Sequence, residues 1–136
     1  MLNCHDDVLL FLYKQILLAS ETRPKSVKLP RHPEAGRLLA SAGITVLSTD
    51  NKLEMEQKLT EIGGSRNTLV LRTDRKAQME SLFRHLRNSV AHAHYRCNRR
   101  AGGSIELFHE YRGRKNLFGS VQHQALRQLV SAVEKN

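Results

Sequence analysis

The chain is poor in acid. It has 13 Asp and Glu against 22 Lys and Arg, a formal charge of +9 and a pI near 10.1. A phosphate-bearing partner is therefore favoured over an acidic or neutral one. The shortage is sharpest between Ser81 and Ser104, where no Asp or Glu occurs. Cysteine is scarce too. Cys4 and Cys97 lie far apart and form no CxxC, which excludes reading a disulfide framework or a zinc knuckle from their spacing; a reducing, cytoplasmic setting is the expectation. Long apolar runs are missing. The stretch from Val8 to Ala19 follows Asp6 and Asp7 with no Lys or Arg ahead of it, and Lys14 and Gln15 interrupt it. It is too short to span a bilayer and has the wrong flank for a signal peptide, so it predicts a core helix of a soluble protein with no membrane partner. There is no internal repeat and no low-complexity tract.

What is present fits one core. A chain of 136 residues with 40% hydrophobic positions is long enough for a single domain and too short for two ordinary ones. Val8, Leu9, Leu12, Ile16 and Leu17 recur as a wide helical face. Pro24, Pro30 and Pro33 make residues 21–33 an irregular connection. Residues 34–42 predict a short helix that Gly43 stops, and residues 44–47 (ITVL) are β-prone. Asp50 is placed to cap a helix carrying Leu53, Met55, Leu59 and Ile62. Residues 68–71 stay open between a strand and the lead-in to the next helix.

The most informative segment, residues 74–95, contains no Gly or Pro. Met79, Leu82, Phe83, Leu86, Val90 and Ala93 recur at three and four residues and predict a long helix. At about 100° per residue, Arg84, Asn88, His92 and Tyr95 fall on roughly the opposite side, with Arg87 on the flank. A basic stretch with Arg96, Arg99 and Arg100 follows, then Gly102 and Gly103, then a one-sided strand pattern over residues 104–111. This predicts a short β-hairpin over residues 96–115. Ser120 is placed to cap a final helix over residues 120–134, with Val121, Ala125, Leu129, Val130 and Val133 facing the core.

The polar side of residues 74–95 offers anion-binding donors and an imidazole that titrates near neutrality. A guanidinium forks onto two phosphate oxygens while an imidazole works on a hydroxyl or leaving oxygen. That pairing suits RNA cleavage by attack of the 2′-hydroxyl, which needs acid and base help but no metal. His85 and His92, seven apart, lack the ligand number and spacing of a metal site, so neither a metal nor another cofactor is expected. His94 is expected to point away from His92, and His5, His32, His109 and His123 carry no readable context.

Residues 86–92, LRNSVAH, resemble the R-x4-6-H signature of the HEPN superfamily (higher eukaryotes and prokaryotes nucleotide-binding domains). They are most similar to its small plasmid-borne, toxin-like branch, where a hairpin-like insert and a last helix follow the motif helix. The resemblance implies a mainly α, compact helical bundle that dimerises through the motif helix. It further implies a metal-independent endoribonuclease, a toxin or mobile-element defence protein, leaving a 2′,3′-cyclic phosphate. Arg87 would then bind the scissile phosphate, His92 would serve as general base or acid, and Asn88 would orient phosphate or imidazole. Arg84, Tyr95, Arg96, Arg99 and Arg100 would contact RNA. Implied partners are RNA, a second copy of the chain and an antitoxin protein. In one part of that branch a modified tyrosine stands two residues after the motif histidine; here His94 holds that place and Tyr95 follows it, which puts that form of regulation in doubt. The alternatives are a non-catalytic module of the same fold holding RNA or a nucleotide, and a small DNA-binding regulator. Arg87, Asn88 and His92 together favour cleavage, and no segment reads as a paired helix-turn-helix.

Overall fold

The computed structural model describes residues 4–19, 29–31, 33–73, 77–98 and 103–135. Helix α1 (Asp6–Phe11) runs straight into a π-helical stretch, Leu12–Leu18, so the apolar face of this segment is continuous and buries Val8, Phe11, Leu12 and Ile16. Helix α2 (Glu34–Ala42) ends at Gly43 in the left-handed region, as the sequence predicts. Strand β1 (Thr45–Thr49), helix α3 (Lys52–Ile62) and strand β2 (Thr68–Arg72) form a parallel crossover unit. Helix α4 (Gln78–Ala91) then leads to β3 (Tyr95–Asn98), β4 (Ser104–Tyr111) and β5 (Arg114–Gln122), and α5 (His123–Glu134) closes the chain.

The five strands make one mixed sheet, ordered β1-β2-β5-β4-β3, with β1 and β2 parallel and every other pair antiparallel. The expected mainly α, HEPN-like bundle is thus corrected to a mixed α/β fold. The β-prone stretch at 44–47 becomes strand from Thr45 onward, and the open stretch at 68–71 becomes strand as well, because β1 and β2 pair with each other. The expected hairpin is real but belongs to a three-stranded antiparallel meander. Alternation sorts the two faces. Leu69, Leu71, Ile105, Leu107, Leu117 and Val121 join one core with residues of α1, the π stretch, α2, α4 and α5. Val70 and Phe118 pair on the other face, where α3 lies and buries Met55.

Three boundaries differ from the sequence reading. Asn51, not Asp50, caps α3: its Oδ1 accepts from the amides of Leu53 and Glu54 at 2.8 and 3.2 Å. Ser120 lies inside β5, paired with Thr68 and Glu106, so the last helix starts at His123 rather than at 120. Helix α4 stops at Ala91, four residues short of expectation. The two cysteines also differ: Cys4 and Cys97 form a disulfide whose Cα atoms are 5.0 Å apart, tying the start of the described chain to β3. The reducing setting expected from unpaired cysteines loses its footing. Among the described residues no helix is long and apolar enough to cross a membrane.

Candidate functional site

Helix α4 is set by its apolar stripe. Met79, Leu82, Phe83, Leu86 and Val90 are buried, as the spacing predicts, and so are Ser81, His85 and Ser89. The helix packs against the π stretch and against β2, β4 and β5. With eight positions committed inside the protomer, it leaves only a narrow outer strip, and dimerisation along this helix is no longer a premise of the fold. Arg84, Arg87 and Asn88 lie on that strip, half-buried. Arg87 Nη1 donates to Asn88 Oδ1 at 2.8 Å, so the guanidinium and the amide are held as one unit.

The end of α4 places the histidines. His94 N donates to Ser89 O at 2.8 Å and Ala93 N to Val90 O at 3.2 Å, a Schellman closure with Ala93 at φ +55° where glycine is usual. The chain therefore turns sharply after His92, which caps the helix and is exposed. Because the helix ends there, Tyr95 cannot share a side with Arg84 and Asn88. It enters the sheet opposite Leu107 and is wholly buried, so the expected RNA contact by Tyr95 is overturned. Burial, and then the neighbouring Tyr13 hydroxyl, push its phenol above the ordinary range. His94, expected to diverge from His92, instead has its ring 5.8 Å from it.

Strand β4 supplies the partner that the sequence reading missed. The alternation Ile105, Leu107, His109 puts an imidazole on the core face at 2% exposure, beside a register shift between His109 and Glu110. Its Nδ1 lies 2.9 Å from His94 Nδ1, which requires one ring to donate and the other to accept. The His92 ring is parallel to that of His109 within 4°, centroids 6.2 Å apart, and His85 closes the group at 6.1 Å from His109. His85 Nε2 is 2.8 Å from the Arg72 carbonyl; the carbonyl only accepts, so that nitrogen carries the proton. Burial first, then His94, His85 and His92, lower the pKa of His109 to about 4. It is neutral at pH 7. The missed signal was a histidine at a core-facing strand position, which needs a polar partner when buried.

The remaining expected contacts divide. Arg84 and Asn88 both line a cavity of about 390 Å³ at the free end of the β4–β5 hairpin. Arg96 is exposed and forks onto Glu106 of the adjacent strand with two 3.0 Å bonds. Since Tyr95 faces the core, Arg96 points to the other face of the sheet, away from α4, and the structure does not bring it to the site. Arg99 and Arg100 lie outside the described residues. A larger hollow of about 450 Å³ sits on that other face between α3 and β4–β5. Its described lining holds no histidine, whereas His85 lines the smaller one. Among the described residues no three His, Cys, Asp or Glu side chains are grouped to hold a metal ion. No family model, no curated protein and no solved structure matches this chain.

Proposed function

We propose that the protein is an endoribonuclease that needs no metal for the chemical step, cutting RNA to a 2′,3′-cyclic phosphate and a 5′-hydroxyl. The observation that carries this reading is the grouping of four imidazoles, His85, His92, His94 and His109, about the helix whose last two turns carry the Arg87–Asn88 pair. It is the chemistry of the R-x4-H stretch that supports the reading, on a fold other than the helical bundle.

The roles follow from exposure and bonding. Arg87 faces outward and holds the non-bridging oxygens, countering the charge that grows on phosphorus. His92, the exposed ring, takes the proton of the 2′-hydroxyl as that oxygen attacks. His94, starting as the imidazolium, donates Nδ1–H to neutral His109 and gives its Nε2 proton to the departing 5′-oxygen as the P–O5′ bond breaks, ending neutral. Solvent then restores both rings. His109, neutral and buried behind them, fixes the orientation of His94. Every group named belongs to one chain, so the proposed step needs no second copy.

The test is incubation of purified protein with total RNA in excess EDTA. Cleavage that persists in EDTA and falls at least about 100-fold in His92→Ala, with Arg87→Ala also impaired, is the expected result. Intact RNA, or His92→Ala cutting as fast as wild type, removes the reading.

A further inference from the structure

We propose that the cavity between the outer strip of α4 and the β4–β5 turn is a built subsite for single-stranded RNA, holding a phosphate and the base of a nucleotide next to the cleavage position. This rests on the ribonuclease reading for its substrate, but its geometry is independent of the histidines that would cut. Three guanidinium residues line the cavity, Arg84 from the helix and Arg112 and Arg114 from the hairpin, with no carboxylate among the described lining residues. Arginines from two elements converging on one concave surface suit a phosphate better than a protein carboxylate scattered along a loop.

Two further observations point to a ligand with more than charge. Asn116 at the cavity wall is 8% exposed, and its Oδ1 is buried without a hydrogen-bond partner. An orphaned acceptor gains nothing from a phosphodiester, which carries no O–H; it is satisfied by a donor, such as a ribose hydroxyl or an exocyclic amine, after a small shift of the wall. Tyr111 stands at the rim, 56% exposed, with the Arg112 guanidinium 5.2 Å from its ring centroid. An exposed ring backed by a cation is a stacking platform, and such platforms accept any base.

The turn itself argues that Arg112 is placed there for a reason. Arg112 and Gly113, the two residues between β4 and β5, both have positive φ, +52° and +75°. Such hairpin turns favour Asn or Asp ahead of Gly, and an arginine in that conformation is strained. The cavity also lies on the side of α4 that leads to His92: Arg84 and Asn88 line it and His92 caps the helix, at steps of four residues along one side. A strand seated at both places follows one continuous path along α4.

The experiment measures binding, by fluorescence anisotropy, of a short RNA fully 2′-O-methylated so that it cannot be cut. Arg112→Asn suits the turn better than arginine, so its melting temperature should equal or exceed that of wild type while its affinity falls about tenfold. Arg114→Gln should behave alike, each variant lowering the slope of log affinity against log salt by about 0.7. Tyr111→Ala should lose about tenfold and Tyr111→Phe almost nothing. Wild-type affinity in both arginine variants, or unchanged binding in Tyr111→Ala, overturns the subsite. Displacement of the strand by an equal concentration of inorganic phosphate also overturns it, by reducing the cavity to an anion hole. The ribonuclease reading fails separately, through cutting by His92→Ala; lost binding in the cavity variants supports the subsite even then.

Discussion

At the scale of single residues, the consequential one is His109, because it is held neutral by burial and by three other imidazoles. Its folded pKa, about 4, lies below the ordinary histidine value of 6.5, so between those values the unfolded chain binds a proton that the folded chain does not. Stability from this group is complete above pH 6.5 and is lost as pH falls toward 4. Treated as a single site, it should make the protein about 2 kcal/mol less stable at pH 5 than at pH 7. His123 is shifted downward by burial and by Arg127, against an opposing Asp7, and it adds in the same direction. Urea unfolding at the two pH values checks the expectation; a pH-independent midpoint in wild type would show that the cluster is not desolvated as described. The sequence displayed the outer half of this site plainly, since Arg87, Asn88 and His92 sit in an acid-free stretch. It hid His94 and His109, because their contact joins residues on different elements and depends on a turn no residue type announces.

That turn is the lesson at the scale of elements. The apolar spacing in residues 78–90 was enough to place α4 and its buried face, and Gly43 was enough to end α2. Nothing comparable marks the end of α4, where Ala93 takes the left-handed conformation that glycine adopts at no steric cost. The strained alanine holds His92 and His94 side by side. Ala93→Gly should therefore stabilise the protein by about 0.5–1 kcal/mol, the relief of αL strain being offset in part by the looser unfolded chain. A raised urea midpoint with an unchanged slope is the expected readout; a lowered midpoint would mean that the alanine methyl contributes packing. Strand β5 was illegible for another reason. Its stretch RKNLFGSVQ breaks its alternation at Gly119, whose φ is +137° and where a Cβ would collide with the Thr68 carbonyl and with Leu69. The glycine that looks like a strand breaker is what lets β5 approach β2.

For the whole molecule, the sequence sets out a single core but not its layering, since a sheet ordered β1-β2-β5-β4-β3 is assembled from pairings remote in the chain, such as Leu71 with Leu117. The longest covalent link is equally remote. The Cys4–Cys97 disulfide closes a loop with a separation of 93 residues, and in the chain-entropy account a loop of that size restricts the unfolded state by about 4–5 kcal/mol. Reduction, or a Cys4→Ser substitution, should lower stability by that order in urea unfolding. The histidine group should nonetheless keep its arrangement, because its supports lie elsewhere. The Schellman closure fixes the backbone at His94, and Phe108 N donates to His94 O at 3.1 Å, so β4 carries both His109 and the strut that positions its partner. Reduced protein held below its lowered midpoint should thus retain the depressed His109 titration, followed by NMR of the imidazole carbons. A His109 pKa returning to the ordinary range on reduction, with the fold intact by circular dichroism, would mean that β3 hangs on its covalent tether and that the proposed catalytic geometry depends on the oxidised state.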